Sequence, residues 1–179
     1  MSTPTSPSLP ELLDRLELSG HQFLATFHGV ADATWRRKPA EGAWSMEEVA
    51  EHLAIVEAQV RKLILERILE SPAAPEVLAG CVGKEKTIDR QMSDPTRRPA
   101  PEATLPKGRW ATPAELGESF RQNRQRVLDF LRTTPVDVDA HAWEHPAFGP
   151  LTLRQWLFFQ VRHVERHTAQ IRRLTGELP

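Results

Sequence analysis

The sequence predicts an all-α protein whose four long helices form a four-helix bundle. Four segments carry apolar residues at spacings of three and four, the pattern of a helix with one buried face. No segment shows the alternation of a half-buried strand, and the sequence contains no internal repeat. At 179 residues the chain has the length of one domain. We assign this domain to residues 9–179, after a disordered Ser/Thr/Pro-rich tail at residues 1–8.

The first helix is predicted from about Pro10 to Val30. Its apolar stripe begins at Leu13 and continues through Phe23 at helical spacing. The loop that follows contains Pro39 and Gly42, two residues that interrupt regular structure. A second helix can therefore start only after this loop.

The second helix has a clear start signal. Ser45 can accept a backbone N–H as the N-cap, and Glu48 stands three residues later, where it completes a capping box. The helix is predicted to run to about Glu70, where the sequence SPAAP ends it. Residues 71–111 then form a long proline-rich connection, with one short helix at Pro75–Gln91.

The third and fourth helices begin with similar signals. Thr112 caps the third, with Glu115 in the box position, and Thr152 caps the fourth, with Gln155 in that position. The fourth helix ends at Gly176, since glycine readily adopts the left-handed conformation after a helix. The stripe of the third helix is Leu116, Phe120, Asn123, Val127 and Phe130, and that of the fourth is Leu153, Trp156, Gln160, His163, His167, Ile171 and Leu174.

Three histidines lie on these apolar stripes. His163 and His167 are one turn apart on the fourth helix, so their imidazoles can hold one ion from the same face. His52 lies on the stripe of the second helix, about 10 Å from its start at 1.5 Å per residue. The three histidines fall at one level only if these two helices are antiparallel. The long connection permits a crossover, so we expect up-down-down-up order.

Two interpretations of these histidines remain open from the residues alone. A single histidine on an apolar stripe is usually a hydrogen-bonded core side chain. Three clustered imidazoles without ligands would be costly to bury, because buried polar groups need partners. Three histidine ligands with one open position are the arrangement of catalytic zinc sites.

The composition excludes several classes of protein. Lys and Arg number 23 against 24 Asp and Glu, so the net charge of −1 offers no basic surface for nucleic acid. No stretch of 18 apolar residues is present, and the N-terminus has neither the basic nor the apolar region of a signal peptide. The single cysteine, Cys81, cannot form an internal disulfide. We therefore expect a cytoplasmic protein without nucleic-acid or membrane partners.

Two segments resemble the DinB-like superfamily over nearly the whole chain after residue 8. They are GAWSMEEVAEHLAIVE at residues 42–57 and HPAFGPLTLRQWLFFQVRHVERHTAQI at residues 145–171. The shared pieces are a Trp-Ser helix start followed by a histidine, a His-Pro-x-x-Gly loop, and the spacing H-x-x-x-H-x-x-Q-I. The likeness is greatest to the metal-dependent hydrolase branch, which includes bacillithiol S-transferases.

The resemblance implies an up-down-down-up four-helix bundle that binds a divalent ion, zinc or nickel, through three histidines. Transferred by position, the ligands are His52, His163 and His167. Some relatives carry a further histidine five residues after the first ligand, where this chain has Glu57. At that position this chain departs from the pattern of those relatives. The resemblance also implies a homodimer.

Further candidate site residues flank the three histidines. His145, in the HPAFG loop, could act in proton transfer at the mouth of the pocket, or it is an ordinary loop histidine. Gln160 and Asn123 could orient a ligand or bind substrate, and each could equally be a hydrogen-bonded core amide. Glu48 could orient His52 from one turn away, although its place in the capping box is the simpler explanation.

Three functions are compatible with these residues. In the first, a metal-dependent enzyme activates a low-molecular-weight thiol and transfers its sulfur to an electrophilic small molecule. In the second, a metal-bound water hydrolyses an ester or amide. In the third, the metal only joins the helices of a non-catalytic, stress-related bundle.

Overall fold

The computed structural model describes residues 7–70, 72–96 and 99–176. It confirms the predicted all-α class, with four long helices in a bundle. Of the predicted N-terminal tail, residues 1–6 lie outside the described residues, and Ser8 caps the first helix. The helices are α1 (Leu9–Ala25), α2 (Asp32–Arg36), α3 (Met46–Glu66), α4 (Pro75–Cys81), α5 (Lys84–Ser93), α6 (Pro113–Thr133) and α7 (Leu153–Thr175), and the strands are β1 (Ala142–His145) and β2 (Gly149–Thr152).

The predicted caps of α3 and α7 are present. The Ser45 hydroxyl accepts the N–H of Glu48 at 3.2 Å, and the Glu48 carboxylate accepts the N–H of Ser45 at 2.8 Å. Thr152 and Gln155 form the same reciprocal pair at the start of α7. Because each pair satisfies two N–H groups that lack helical partners, it fixes where the helix begins.

The start of α6 differs from the predicted capping box. The Thr112 hydroxyl accepts the N–H of Glu115 at 3.2 Å, as expected. The Glu115 carboxylate, however, accepts the N–H of Ala111 at 3.0 Å, one residue before the cap. The helix therefore starts as predicted with only half of the reciprocal pair.

Other boundaries also shift from the predicted ones. Helix α1 ends at Ala25 instead of Val30, and α3 ends at Glu66 instead of Glu70. The predicted helix at Pro75–Gln91 is two helices, because Gly83 has a φ of +74° and interrupts the helical backbone between α4 and α5.

Side-chain contacts give the relative directions of α1 and α7. Arg154, near the start of α7, donates to the Pro7 carbonyl just before α1 at 2.8 Å. Further along both helices, Arg15 pairs with Glu165 at 3.3 Å. Residue numbers rise together along the two helices, so α1 and α7 are parallel.

Helix α3 runs in the opposite direction to α7. His52 of α3 contacts His163 of α7 at 3.3 Å. Five residues later on α3, Glu57 accepts a hydrogen bond from Gln160 at 3.2 Å, three residues earlier on α7. These paired contacts place the two helices antiparallel, as the depths of the histidines predicted.

Helix α6 runs parallel to α3. The segment that leads into α6 reaches Glu51 near the start of α3, where Lys107 donates its N–H at 2.9 Å. Midway along both helices, Arg124 binds Glu57 at 2.6 and 2.7 Å. The bundle is therefore up-down-down-up, in agreement with the prediction.

A two-stranded antiparallel hairpin lies between α6 and α7, where no strand is predicted from the sequence. Strands β1 and β2 pair with His145 opposite Gly149, and the Trp156 indole N–H donates to the Trp143 carbonyl at 3.2 Å. Gly149 has a φ of +71°, which lets the chain turn back after Phe148. Strands of four residues are too short to show an alternating pattern, so the sequence alone gave no signal for them.

No helix in the described part of the chain combines the length and the apolar character needed to cross a bilayer.

Candidate metal centre

Helices α3 and α7 bring the three predicted ligands together. His52 lies on the second turn of α3, and His163 and His167 lie one turn apart on α7. One ring nitrogen from each histidine lies within 4.8 Å of the other two. The three-histidine cluster predicted from the apolar stripes is therefore present.

Hydrogen bonds orient two of the three rings. The Nδ1 atom of His52 lies 2.9 Å from the Thr104 carbonyl oxygen, and that of His167 lies 2.8 Å from Oε1 of Gln170. A backbone carbonyl oxygen and an amide oxygen can only accept a hydrogen bond. Each Nδ1 therefore carries the proton, and each Nε2 keeps a lone pair. Fixing the tautomer of a histidine ligand in this way is typical of metal sites.

One pair of ring nitrogens has the spacing that a tetrahedral divalent ion requires. Nε2 of His163 lies 3.3 Å from Nε2 of His52. Two nitrogens that each lie about 2.0–2.1 Å from a tetrahedral zinc are about 3.3–3.4 Å apart. Nδ1 of His163 is buried and has no hydrogen-bond partner among the described residues, while its ring stacks on Phe159 at 5.1 Å. The cluster thus supports divalent metal binding in both donor type and geometry.

Burial keeps the three imidazoles in the form that binds metals. Desolvation lowers the pKa of His52, lowers that of His163 well below the ordinary value, and lowers that of His167 to about 3. All three rings are therefore neutral at physiological pH, and no proton must leave before an ion binds.

The cluster opens onto a cleft of about 1300 Å³. All three histidines line this cleft, and the Trp44 ring lies 5.2 Å from the ring of His52. The other aromatic residues of the cleft wall are Trp143, Phe148, Trp156 and Phe159. A small molecule that enters the cleft can therefore reach the three histidines past an aromatic surface.

His145 lies in the wall of the same cleft, at the end of β1. Its ring packs against Phe148, Trp156 and Phe159, with centroids 4.5–4.8 Å away. Nδ1 of His145 accepts the N–H of Ala147 at 3.0 Å, and burial lowers its pKa to about 4. His145 is therefore a neutral ring, held in one orientation beside the metal centre.

Gln160 and Asn123 form hydrogen bonds away from the histidine cluster. The Gln160 amide donates to Glu57 at 3.2 Å in the bundle core. The Asn123 amide donates to the Ser119 carbonyl of its own helix at 2.8 Å. Within the described ranges, no hydrogen bond joins either residue to a site histidine. Gln160 is a hydrogen-bonded amide of the core, and Asn123 bonds within its own helix.

Glu48 lies in the capping box of α3, where it also binds Lys38 at 2.9 Å. The groups that orient the histidines are Thr104 and Gln170, and neither was predicted from the sequence. Gln170 had a signal, because it follows His167 by three residues in the H-x-x-x-H-x-x-Q-I spacing. Thr104 had none, since it acts through its backbone carbonyl from the long proline-rich connection.

Two proteins of Bacillus subtilis resemble this chain. The uncharacterized protein YuaE of strain 168 is 24% identical over 150 residues, which cover 84% of this chain and 88% of YuaE. The structure of YfiT superposes with a TM-score of 0.62 at 18% identity, and the match covers 99% of this chain and 93% of YfiT. YfiT is described as a probable metal-dependent hydrolase with an unusual four-helix bundle topology. At this identity the YfiT likeness shows the shared fold.

The family profile covers most of the chain. The profile of the DinB superfamily matches residues 15–171, a range that includes all of α3 and α6, most of α1 and α7, and the three clustered histidines. This chain therefore belongs to the DinB superfamily.

Proposed function

We propose that this protein is a metal-dependent enzyme that acts on a small molecule bound in the cleft. The observation that supports the proposal is the convergence of three neutral imidazoles from α3 and α7 at the wall of an open, aromatic cleft. A divalent ion, zinc or nickel, held by His52, His163 and His167 would supply Lewis acidity that lowers the pKa of a coordinated thiol or water.

The first candidate reaction is transfer of a low-molecular-weight thiol to an electrophile. The likeness of residues 42–57 and 145–171 to the branch that includes S-transferases supports this choice. The thiol proton passes to solvent, the sulfur forms a C–S bond with the electrophile, and the leaving group departs as an anion. The aromatic wall formed by Trp143, Trp156 and Phe159 suits an apolar, planar electrophile.

His145 has a defined role in this proposal. Because its Nδ1 accepts the Ala147 N–H, the proton of the neutral ring is on Nε2. The ring is neutral and its Nε2 is protonated at physiological pH, so His145 acts as a hydrogen-bond donor to the leaving group or to a substrate oxygen. This refines the proton-transfer role suggested by the sequence, since a ring with a pKa of about 4 does not take up a proton readily at neutral pH.

The second candidate reaction is hydrolysis of an ester or amide. The description of YfiT as a probable metal-dependent hydrolase favours it. Water would add across the acyl bond, giving a carboxylic acid and an alcohol or amine. The residues of this chain would bind and orient the substrate in the same cleft, so only the nucleophile differs between the two reactions.

A single assay separates these reactions. The zinc- or nickel-loaded protein is incubated with chlorodinitrobenzene and a panel of small thiols, and separately with chromogenic esters and amides without thiol. Thiol-dependent turnover that is lost in His163→Ala and kept in His21→Ala supports S-transfer. His21→Ala is the control, because His21 is an exposed histidine on α1. Turnover without thiol supports hydrolysis. Metal binding that stabilises the protein while both panels stay silent would instead indicate a metal that only joins the helices.

A further inference from the structure

A buried carboxylate lies next to the first histidine ligand in the chain. Glu51 is only 3% exposed. Its two oxygens accept three successive backbone N–H groups, those of Lys107, Gly108 and Arg109, at 2.9, 2.9 and 3.0 Å. Gly108 has a φ of +70°, the left-handed conformation that turns successive N–H groups toward one anion. Glu51 and residues 107–109 thus form a closed carboxylate–backbone nest.

The nest anchors a segment that reaches the metal centre. This segment, residues 99–111, is called the strap. The strap runs antiparallel to α3. Gln59 donates to the Ala103 carbonyl at 3.0 Å, and nearer the start of α3 the Thr104 carbonyl accepts a hydrogen bond from Nδ1 of His52 at 2.9 Å. The only regular structure in the strap is one short turn at Glu102–Thr104, and side chains of α3 contact the strap at three places along its length.

We propose that Glu51 is a positioning residue for the metal centre. By fixing the strap through the nest, it holds the Thr104 carbonyl where that carbonyl sets the tautomer and ring orientation of His52. The inference rests on the metal binding of the proposed function but not on either reaction. Glu51 binds no metal itself, since the contacts of its carboxylate are to the strap.

The size of the expected effect follows from the chemistry of histidine ligands. If the strap shifts, Nδ1 of His52 loses its acceptor, and the proton redistributes between the two ring nitrogens. A ring protonated on Nε2 cannot bind the ion until it changes tautomer. Loss of a group that orients a metal ligand typically weakens metal binding by about 10–100-fold.

The first test replaces the carboxylate. Glu51→Gln keeps the shape of the side chain but turns an N–H donor toward the N–H groups of the strap. We expect the affinity for Zn²⁺, measured by competition with a chromogenic chelator, to fall by at least about 10-fold. The visible spectrum of the Co²⁺ protein, which reports the ligand geometry, is expected to change. Glu51→Asp keeps the charge and should restore part of the affinity, whereas Glu47→Gln, on the same helix, should bind Zn²⁺ normally.

The second test leaves Glu51 intact and distorts the nest. An added Cβ at Gly108 meets no atom within 4 Å, so Gly108→Ala acts through the backbone conformation alone. Gly29→Ala is a matched control, because Gly29 has a φ of +69° and equally open surroundings away from the site. We expect Gly108→Ala to weaken Zn²⁺ binding and to alter the Co²⁺ spectrum, and Gly29→Ala to do neither.

The outcomes separate this inference from the proposed function. If the folded wild-type protein does not bind Zn²⁺ or Co²⁺, both fail together. If the wild type binds both ions, and Glu51→Gln and Gly108→Ala match its affinity and spectrum, only the positioning role is wrong. A loss of thermal stability in these variants without a change in metal affinity or spectrum would also overturn it. Should Glu51→Gln not fold, Gly108→Ala decides the question.

Discussion

His163 shows how a single functional residue can be unfavourable for the folded chain. It is 7% exposed, and its Nδ1 has no hydrogen-bond partner within the described residues. A buried polar atom without a partner costs about 1–3 kcal/mol, which offsets what the ring gains by stacking on Phe159. The residue is therefore better explained by metal binding than by packing.

This explanation predicts how His163→Leu should behave. With a chelator present, we expect the variant to be as stable as the wild type to within about 1 kcal/mol, because removal of the unpartnered Nδ1 offsets the loss of the 3.3 Å contact with Nε2 of His52. With Zn²⁺ at 100 times its dissociation constant, the wild type should gain about 2.7 kcal/mol and the variant nothing. Urea unfolding with and without Zn²⁺ measures both quantities. An equal gain by the variant would show that the ion binds elsewhere.

At the residue scale, the sequence predicted the clustering of three histidines better than the contacts around them. His52, His163 and His167 were found because helical spacing and depth place them on facing stripes. The third helix shows the limit of this method, because Asn123 was assigned to its buried stripe and the neighbouring Arg124 is the buried residue. The residues on one helix face are spaced alternately by three and four. A polar residue assigned to the buried face from the sequence can therefore be one position away from the residue that is buried.

At the scale of single elements, helix α3 depends on its cap. The reciprocal bonds between Ser45 and Glu48 satisfy two N–H groups at the start of the helix that presents His52. We expect Ser45→Ala to lower the free energy of unfolding by about 1 kcal/mol, which is a fall in melting temperature of about 2–4 °C for a chain of this size. Differential scanning calorimetry checks the shift.

Ser119→Ala is the control for this prediction. Ser119 lies inside α6, away from either helix end, so alanine should leave the melting temperature unchanged or raise it slightly. Equal losses in the two variants would mean that the Ser45 hydroxyl does not act as a cap.

Elements with local signals were predicted from the sequence, and those held by distant contacts were not. Capping residues and stripes located all four long helices. The hairpin depends on contacts from other elements instead, with Trp156 of α7 donating to the Trp143 carbonyl and Lys84 of α5 donating to that of Phe148. The strap likewise depends on Glu51. Neither segment carries enough local information to be predicted alone.

At the scale of the whole molecule, one buried ion pair joins all four long helices. Arg124 of α6 binds both oxygens of Glu57 on α3 and donates to the Leu16 carbonyl of α1 at 2.7 Å. Gln160 of α7 donates to the same carboxylate. The sequence marked Glu57 only as a departure from the pattern of some relatives. Its partner was unpredictable because the pair joins residues 67 positions apart in the chain.

This pair stabilises the fold only while both of its charges are present, which a double-mutant cycle can test. Glu57→Leu leaves the guanidinium of Arg124 buried without its counter-charge, so we expect it to lose about 3–5 kcal/mol of unfolding free energy. Adding Arg124→Met removes the stranded charge and should recover most of that loss. The exposed pair Glu118–Arg121 has equally short bonds, yet Glu118→Ala should have little measurable effect, because solvent already screens it. Urea unfolding measures the free energy of unfolding of each variant. If the double variant is as unstable as Glu57→Leu, the four helices need the hydrogen bonds of the pair, and removal of the unpaired charge is not sufficient.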